Sequence, residues 1–525
     1  MILPTTEGCP PNRRNTDKKK SVFIPIRVYK NSMSLKRTNG TSFKLRPGMH
    51  VHLVGVAGAG ISAIARVLLG YGCVVSGSDE QSNQLTVALQ AEGATIYQGH
   101  RPEHIAGADA LVISSAVPET NLEVAAARAA GIPVLKRSDF LGTLMADTIG
   151  IAIAGSHGKT TTTGMIAHIL IEAGLDPTVI VGGVLPLLNA NGRYGEGDYF
   201  VVEADEYDYM FLGLQPEVAV ITSIEHDHPD IFPTAGDYMA AFRDFTALLP
   251  ASGRLIACAD DPGVVKLLGN LALDEVEVTT YTTTEVGATT EVVGALREAS
   301  LLVDYQALDC RPNPLGGMDF LVETEGQIIG LARLRVPGLH NVGNALAAII
   351  VALDIGIDFD VIRQALADFG GVGRRFQVIG DVGGVTLIDD YAHHPTEIRA
   401  TLAAARQHYP GRRLWAIWQP HTYSRTRLLL PQFAASFGSA DRVVALEIYR
   451  SREQDTLGVS TADVLAAMDH PRAIYIPDRA GAAAYVLDRI APGDVVLTLG
   501  AGDGHEVGRW IVDGLKKLAG RNSHE

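Results

Sequence analysis

Short apolar runs alternate with segments of helical periodicity along most of the chain, beginning at His50. An apolar run of about four to eight residues between glycine or charged residues is typical of a buried strand, and apolar positions three and four apart indicate a helix. Helices are predicted over Ile61–Leu69, from the glycine segment after Ala154 to Glu172, and after His340. The predicted strands are Val51–Val56, Val74–Asp79, Leu111–Ile113, Ile132–Leu135, Ile149–Ala154, Tyr199–Val202, Val218–Thr222, Val385–Ile388, Leu414–Trp418, Arg442–Leu446 and Val495–Leu499.

Strands that alternate with helices predict parallel sheets with right-handed crossovers, and therefore an α/β fold. Residues 255–335 differ from the rest because their apolar and polar positions alternate as in a β-rich region. The chain has 525 residues, and at roughly 100 to 200 residues per domain it is expected to form about three domains. We place these domains at residues 49–147, 148–373 and 374–525, after an N-terminal extension of residues 1–48.

Charge is distributed unevenly between the extension and the rest of the chain. Residues 1–50 carry eleven basic and two acidic side chains, whereas the whole chain has a formal net charge of −15, so the remainder is near −24. The extension contains Pro10-Pro11 and the run Lys18-Lys19-Lys20, without a sustained apolar period. We therefore predict that residues 1–48 are a disordered basic extension, and they lack the apolar core of a signal peptide.

The composition excludes several classes of protein. Hydrophobic residues make up 47% of the chain and charged residues 20%, and there is no run of about eighteen apolar residues, so we predict no membrane span. The negative net charge argues against a nucleic-acid partner. Since Cys9, Cys73, Cys258 and Cys310 have neither paired nor metal-ligand spacing, we expect a reducing, cytoplasmic location. The sequence leaves open whether the protein is a monomer or a homodimer.

The strongest local motif is the segment Gly155-Ser-His-Gly158-Lys159-Thr160-Thr161, between a predicted strand and a predicted helix. Backbone N–H groups at such a helix start can bind phosphate, the lysine can neutralise terminal phosphates, and the Thr160 hydroxyl can hold Mg²⁺. We expect Lys159 to be exposed. Ile153 stands where the full phosphate-loop pattern has its first glycine, so an ordinary strand-to-helix turn is the alternative interpretation.

Acidic residues and histidines follow two predicted strands of the same domain. Glu203-Ala-Asp205-Glu206 comes directly after one strand, and Glu225-His-Asp227-His228 follows another. Each cluster taken singly is more typical of a solvated loop. Because the carboxyl ends of parallel strands share one edge of a sheet, their position beside the phosphate-loop motif favours a Mg²⁺–nucleotide site.

A second glycine segment, Gly55-x-x-Gly58-x-Gly60, follows the first predicted strand. It is consistent with diphosphate binding at a helix start, from NAD or from a UDP-sugar, and equally with a tight turn. Asp79, further along the chain, could reach a ribose. A third helix begins near His340, Asn341 and Asn344, which either contact a ligand or cap the helix.

Two polar segments follow predicted strands of the third domain. They are Asp389-Asp390-Tyr391-Ala-His393-His394-Pro395 and Gln419-Pro-His421-Thr422-Tyr423-Ser-Arg425-Thr-Arg427. An arginine can bind a carboxylate through two parallel hydrogen bonds, so these segments are compatible with an amino-acid substrate.

Taken together, these motifs resemble the Mur ligase family, and among its members those that attach L-alanine to UDP-N-acetylmuramate. The resemblance runs in family order from about residue 49 to the end of the chain. It implies an N-terminal Rossmann-like domain for the UDP-sugar, a central P-loop ATPase domain and a C-terminal Rossmann-like domain for the amino acid. The matching segments are His52–Gly60, Ser76–Asp79, Ser114–Ala116, Ala154–Thr161, Glu203–Glu206, Asp227-His228, Pro337–Asn341, Gly373–Phe376, Asp390–Pro395 and Gln419–Arg427.

The resemblance also implies a role for individual residues. ATP and Mg²⁺ are the implied cosubstrate and cofactor, and UDP-N-acetylmuramate and L-alanine the implied partners. For UDP-N-acetylmuramate the implied residues are Gly58, Gly60, Ser76, His100, Ser114 and Ser115. For ATP they are Gly155, Gly158, Lys159, Thr160, Thr161, His340, Asn341, Asn344, Arg375 and Asp390. For Mg²⁺ they are Thr160, Glu203 and His228, and for L-alanine Tyr391, His393, His421 and Arg425.

The implied reaction proceeds through an acyl phosphate and requires no nucleophilic side chain. Lys159 and Arg425 are the expected catalytic cations, and His228 and His393 are hypotheses for the base that deprotonates the amine. Thr422 and Ser223 stand where many relatives have arginine and asparagine, so the contacts of those positions are in question.

Two alternatives remain at the level of sequence. A recycling ligase that attaches a tripeptide to UDP-N-acetylmuramate shares the first two domains, but it lacks the His421-x-Tyr-Ser-Arg-Thr426 segment. An NAD-dependent oxidoreductase could use Gly55–Gly60, but it would leave Lys159, Glu203 and His228 without a purpose.

Overall fold

Three β-sheets organise the chain in the computed structural model, which describes residues 43–271, 276–284 and 303–522. The sheets have five, ten and six strands, and each lies within one of the three predicted domains. We call the corresponding parts of the molecule the N-terminal, central and C-terminal units.

The N-terminal unit is a parallel five-stranded sheet in the order β3-β2-β1-β4-β5. Its first strand ends at Val54 because Gly55 turns the chain with a positive φ of 86°. The strands are β1 His50–Val54, β2 Val74–Asp79, β3 Thr95–Gln98, β4 Ala110–Ile113 and β5 Val134–Lys136. The helices are α1 Ala59–Gly70, α2 Gln84–Ala91, α3 Leu122–Ala129 and α4 Arg137–Met145, with a short 3₁₀ helix at Pro102–Ile105.

The central unit has a ten-stranded sheet in the order β15-β14-β13-β12-β11-β10-β6-β9-β7-β8. Its middle is parallel, whereas β13–β15 form an antiparallel meander and β7–β8 an antiparallel hairpin. The strands are β6 Ile149–Ala154, β7 Thr178–Leu185, β8 Ala190–Arg193, β9 Tyr199–Glu203, β10 Val218–Ile221, β11 Arg254–Cys258, β12 Glu277–Thr282, β13 Tyr305–Pro312, β14 Met318–Thr324 and β15 Gln327–Arg333. The helices are α5 Lys159–Glu172, α6 Ala235–Thr246, α7 Pro262–Leu268, α8 Leu339–Asp354 and α9 Phe359–Asp368, with a 3₁₀ helix at Tyr207–Gly213.

The C-terminal unit has the strand order β16-β17-β21-β18-β19-β20, and all its pairs are parallel except β16–β17. Its core includes Trp415 and Trp418, both fully buried. The strands are β16 Gln377–Val382, β17 Val385–Asp390, β18 Leu414–Trp418, β19 Arg442–Ala445, β20 Ala473–Tyr475 and β21 Val495–Leu499. The helices are α10 Pro395–His408, α11 Tyr423–Leu428, α12 Leu430–Ala434, α13 Thr461–Ala467, α14 Arg479–Leu487 and α15 His505–Asn522.

The N-terminal and central units share one continuous apolar cluster. It runs from Leu53 through Phe140 to Phe211 and Phe245. Helix α4 approaches the 3₁₀ helix Tyr207–Gly213 so closely that a Cβ on Gly142 would overlap the Gly213 carbonyl. This close packing fixes α4 against the segment that follows β9.

The prediction that residues 1–48 form a disordered extension is wrong for its last residues. Phe43 and Leu45 pack against the shared apolar cluster, with the Phe43 and Phe140 rings 6.3 Å apart. Gly48 also donates a backbone hydrogen bond to Gly72. Two apolar side chains within a basic segment gave no periodic signal, so the sequence did not reveal this packing. The remainder of the predicted extension, residues 1–42, lies outside the described residues. Within the described ranges, no helix has both the length and the apolar character needed to cross a membrane.

Candidate active site

Three helices begin at glycines and have no side-chain cap among the described residues. They are α1, α5 and α8, whose N-cap residues are Gly58, Gly158 and Gly338. Helices α2 and α6 instead have complete capping boxes. An uncapped helix start leaves backbone N–H groups available to an anion, so these three ends are candidate phosphate sites.

The segment before α5 is a glycine turn that brings α8 close to the predicted phosphate loop. Gly155 and Gly158 have φ angles of 134° and 82°, which side chains other than glycine rarely adopt. A Cβ on Gly158 would lie 2.5 Å from Oδ1 of Asn344. The loop and the polar start of α8 therefore form one surface.

Lys159 is paired and largely buried, so the expectation of an exposed lysine is wrong. Its side chain is 13% exposed, and Nζ lies 2.8 Å from Oε2 of Glu206, whose side chain is 1% exposed. Burial acts against the charge of Glu206, but Lys159 and His228 lower the pKa of this carboxyl to about 2. The lysine is thus held in its charged form at the helix start.

Two of the three predicted Mg²⁺ ligands are in direct contact. The Thr160 hydroxyl donates to Oε1 of Glu203 at 2.9 Å, and the other oxygen of Glu203 accepts from the Gly182 N–H at 2.6 Å. His228 does not join them, since its Nε2 lies 3.6 Å from Glu206 and 3.8 Å from Asp227. The structure therefore brings together an oxygen-donor pair and places the predicted imidazole ligand beside a different carboxylate.

The C-terminal unit contacts the central unit through a buried ion pair. Arg425 Nε donates to Oδ1 of Asp227 at 2.7 Å, and both side chains are only 4% exposed. Arg425 also lies 3.5 Å from Nδ1 of His228, and it donates to the backbone carbonyl of His421. The predicted alanine-binding arginine is thus already engaged across the junction.

A cavity of about 410 Å³ lies between the central and C-terminal units. Most of the predicted ATP residues line it, namely Gly158, Thr161, His340, Asn341, Asn344, Arg375 and Asp390. Sequence reasoning missed other lining residues, including His157, Thr222, Cys258, Asp260, Tyr281, Thr283, Phe376, Thr396 and Glu397. His157 is the neighbour of Gly158 in the phosphate loop. Most of the others follow strands or begin helices, and they belong to no nucleotide motif.

Arg375 and Asp390 bring the C-terminal unit to this cavity. Arg375 lies 3.4 Å from the Thr160 hydroxyl and 3.5 Å from Glu397. Burial raises the pKa of Asp390 to about 6, although both of its oxygens accept backbone hydrogen bonds, from Phe376 and Ala392. One positive and one negative side chain from the same unit therefore face the phosphate loop.

His393 lies at the same junction, and burial lowers its pKa to about 3. Its Nδ1 lies 3.1 Å from the Tyr391 carbonyl and 3.3 Å from Glu397, both acceptors, which favours the tautomer with the proton on Nδ1. Its Nε2 lies 4.0 Å from Oδ2 of Asp227. The predicted pocket partners Tyr391 and His421 surround this ring.

A cluster at the junction of the units was not predicted. His157 of the phosphate loop contacts Glu225 at 2.9 Å and Glu397 at 3.4 Å, and His394 lies 3.6 Å from Glu225. Within the described residues, His157, Glu225 and His394 are the group with ligating atoms close enough to hold a metal ion. Thr396 also donates to Glu225 at 3.0 Å, so the cluster joins the two units.

The first glycine loop is built from different contacts. Asp79 accepts the Ala57 N–H at 3.0 Å, which fixes the loop, and its contact with a ribose stays a prediction. Ser114 lies directly behind Gly55, and Ser115 is exposed. Ser76 is not at this edge: it is 3% exposed, and its hydroxyl lies 2.7 Å from both His50 and His52.

A buried carboxylate, Glu123, organises the floor beside this loop and was also missed. It is fully buried at the start of α3, and it lies 3.0 Å from His100 and 2.7 Å from His104. Ser78, at the end of β2, donates to the same carboxylate. Burial opposes its charge, but His52, Ser78, His104 and His100 lower the pKa of Glu123 to about 2. Predicted His100 is therefore held in place by a residue that belongs to no motif.

Family models match each of the three units. The descriptions are "Mur ligase family, catalytic domain" for residues 50–148, "Mur ligase middle domain" for residues 153–352, and "Mur ligase, glutamate ligase domain" for residues 374–502. The first of these matches includes Gly55–Gly60, the segment on which the oxidoreductase alternative depended.

Curated relatives and solved structures are similar over nearly the whole length. A UDP-N-acetylmuramate–L-alanine ligase from Roseiflexus sp. strain RS-1 is 43% identical over 487 residues, covering 89% of this chain and all of that protein. The ligase of the same name from Salinibacter ruber is 44% identical over 457 residues, covering 86% of this chain and 92% of that protein. The structure of the UDP-N-acetylmuramate–alanine ligase MurC from Thermotoga maritima superposes with a TM-score of 0.74 at 27% identity, covering 90% and 100%. The structure of a murein peptide ligase from Psychrobacter arcticus superposes with a TM-score of 0.65 at 25% identity, covering 89% of this chain and 99% of that one.

Proposed function

The chain belongs to the Mur ligase family, and from this premise we propose that it joins L-alanine to the muramate carboxylate of UDP-N-acetylmuramate. ATP is converted to ADP and phosphate in this reaction, which belongs to peptidoglycan synthesis. The observation that carries the proposal is the junction at the phosphate loop. There Arg375 of the C-terminal unit lies 3.4 Å from the hydroxyl of Thr160, which follows Lys159 in the central unit.

The first chemical step is transfer of a phosphoryl group. A muramate carboxylate oxygen attacks the γ-phosphorus of ATP in line, the bond to the bridging oxygen of ADP breaks, and an acyl phosphate forms. Lys159 is the residue that neutralises charge on the transferred group, and Arg375 adds a second positive charge from the C-terminal unit. Such catalysis consists mainly of positioning and electrostatic stabilisation.

Thr160 and Glu203 are the residues that would hold Mg²⁺. They fit the ion because a hydroxyl and a carboxylate oxygen, 2.9 Å apart at the start of α5, are hard oxygen donors. When bound, Mg²⁺ would offset the charge of the ATP phosphates. His228 remains the predicted third ligand, although it lies nearer to Glu206 than to this pair.

The second step is formation of the amide bond. The ammonium group of L-alanine first loses one proton, and the resulting amine attacks the acyl carbon. The bond to phosphate breaks, and the phosphate takes up the second proton that the nitrogen loses as the amide forms. His228 and His393 both remain hypotheses for the acceptor of this proton. His228 lies against Glu206 and Asp227, whereas burial lowers the pKa of His393 to about 3 and makes it a weak base. Tyr391, His421 and Arg425 are proposed to line the alanine pocket around it.

The N-terminal unit is proposed to bind the UDP portion of the substrate. Gly58 and Gly60 begin α1, and His100, Ser114 and Ser115 lie at the same edge of the sheet. Ser76 stays a weaker member of this set because its hydroxyl is already hydrogen-bonded inside the unit. Cytoplasmic location, a monomeric or homodimeric state, and the lack of nucleic-acid and membrane partners remain predictions.

The test is an assay of the full-length chain with UDP-N-acetylmuramate, Mg·ATP and one acceptor at a time. The acceptors are L-alanine, L-serine, glycine and the tripeptide, and both phosphate release and product mass are measured. We expect L-alanine to give phosphate and an amide product at equal amounts. Consumption of the tripeptide without consumption of L-alanine would establish the recycling ligase instead, and no phosphate with any acceptor would refute the proposal.

A further inference from the structure

One cationic side chain lies against the first glycine loop, although it belongs to neither predicted site. Arg137 is the first residue of α4, directly after β5. A Cβ built on Gly60 would overlap its guanidinium, with Cζ at 2.8 Å. The absence of a side chain at Gly60 therefore leaves room for the guanidinium beside the start of α1.

Arg137 is held from the opposite side by the central unit. Its Nη2 donates to Oδ2 of Asp205 at 2.9 Å, and its Nε contacts the sulfur of Met210. The close packing of α4 on the 3₁₀ helix Tyr207–Gly213 fixes the backbone from which the side chain extends. The side chain is 20% exposed, so one edge of the guanidinium is fixed and the edge carrying Nη1 points towards the loop.

The first glycine loop has no positive side chain of its own to offset the charge of a diphosphate. Residues 55–60 contain no charged side chain, and the nearest loop contact is the negative Asp79, which accepts the Ala57 N–H. A bound diphosphate adds about two negative charges at a helix start, where the backbone N–H groups offset only about half an elementary charge. A nearby cation would strengthen this attraction, and an arginine fork matches phosphate oxygens well.

We propose that Arg137 binds the diphosphate of UDP-N-acetylmuramate, an inference that rests on the proposed function. One edge of the guanidinium stays on Asp205, and the other donates to a phosphate oxygen held at the start of α1. Because Asp205 follows β9 only two residues after Glu203, the same side chain connects the UDP site with the phosphate-transfer site.

The test is direct binding of UDP and of UDP-N-acetylmuramate to the full chain by calorimetry, without ATP. We expect Arg137→Ala to weaken both ligands by about tenfold or more, as for loss of a hydrogen bond to a charged group. Arg137→Lys keeps the charge but loses the fork and should fall between wild type and Arg137→Ala. Arg128→Ala is the matched control, since this arginine is 55% exposed in the same unit and pairs with Glu119.

Asp205→Asn separates substrate binding from a purely structural role. If Arg137 binds the diphosphate, removal of its negative partner leaves the affinity for UDP unchanged or raises it. An equal loss of affinity in Asp205→Asn and Arg137→Ala would assign the arginine to holding the two units together, and would overturn the proposal. Two further results would also overturn the proposal. One is an Arg137→Ala variant that binds UDP with wild-type affinity. The other is a loss of affinity for UDP-N-acetylmuramate but not for UDP, which would assign the arginine to the muramate carboxylate.

Turnover by the wild type distinguishes this inference from the proposed function. A wild type that ligates L-alanine, combined with normal UDP binding by Arg137→Ala, refutes the inference alone. A wild type that neither binds nor ligates UDP-N-acetylmuramate refutes both.

Discussion

The two glycine loops have the same spacing but obtain positive charge in different ways. Gly55 and Gly58 precede α1 as Gly155 and Gly158 precede α5, and both helices have uncapped glycine starts. The helix begins with Ala59 in the first loop and with Lys159 in the second. The second loop thus carries its own cation, whereas the guanidinium beside the first comes from the distant α4.

The loops also differ in what covers them. The C-terminal unit reaches the second loop through Arg375 and pairs with the central unit through Arg425 and Asp227. Beside the first loop lies instead a buried carboxylate, Glu123, which contacts His100 and His104. Similar local motifs therefore lie in different surroundings, because tertiary structure brings different side chains to each of them.

The largest effect is expected when the second loop is made like the first. Lys159→Ala places alanine where the first loop has Ala59, and turnover should fall by about 10³-fold because transferred charge is no longer offset. Glu206 keeps its Tyr238 contact at 3.0 Å, so we expect the fold to persist. Steady-state kinetics measure the loss, and UDP binding by calorimetry should be unchanged. Turnover within about tenfold of wild type would contradict the role of Lys159.

The next effect concerns the support of the first loop. Glu123 has its pKa lowered from 4.5 to about 2, so its ionised form contributes stability that is complete above pH 4.5 and lost as pH falls towards 2. Glu123→Gln should lower the free energy of unfolding by about 3 kcal/mol at pH 7, and the difference from wild type should shrink below pH 4.5.

Urea unfolding at pH 7, 5 and 4 measures this dependence. Glu119→Gln is the control, because that side chain is 63% exposed and should leave stability unaltered. A difference from wild type that is absent at pH 7, or that does not shrink in acid, would be inconsistent with a charged, buried Glu123.

Closure over the second loop should be sensitive to the buried ion pair. Asp227→Asn leaves the Arg425 charge without its partner, and we expect turnover with L-alanine to fall by about 100-fold. UDP affinity should not change, since the C-terminal unit makes its contacts at the other loop. Asp230→Asn, at an exposed position three residues further along the chain, is the control. An equal fall in turnover in both variants would show that the Arg425–Asp227 ion pair has no specific role in closure.

The smallest expected effect separates the two loops by their metal requirement. Glu203→Gln should raise the Mg²⁺ concentration for half-maximal turnover by about tenfold, because the oxygen ligand loses its charge. Glu172→Gln, at the far end of α5, should have no effect. UDP binding should be independent of Mg²⁺ in both variants. A Mg²⁺ titration that matches wild type in Glu203→Gln would show that this carboxylate does not hold the ion.

Most of the fold could be predicted because its strands are buried on both faces and read as continuous apolar runs. Several of the missed strands lie at sheet edges, where this signal disappears, although β7 and β11, inside the central sheet, were missed as well. β8 contains Asn191, Gly192 and Arg193, β16 is interrupted by Gly380, and β20 has three residues. A short or polar edge strand cannot be distinguished from a loop by periodicity alone.

The site was predictable where its residues are contiguous in sequence. Thr160 and Glu203 could be paired because strand ends share one edge of a sheet. By contrast, Thr160 and Arg375 are 215 positions apart, and Asp227 and Arg425 198 positions apart, so only packing of the units reveals these contacts. Lys159 was predicted to be exposed because the sequence does not show that Glu206 turns inwards to meet it.

The acyl-phosphate mechanism is tested most directly by the fate of one oxygen atom. UDP-N-acetylmuramate labelled with ¹⁸O in the muramate carboxylate is incubated with the full chain, Mg·ATP and L-alanine, and the released phosphate is analysed by mass spectrometry. Attack of the carboxylate on the γ-phosphate, followed by attack of the amine, leaves one ¹⁸O in each phosphate. Phosphate without ¹⁸O, accompanied by the amide product, would contradict the acyl-phosphate mechanism assigned to this junction.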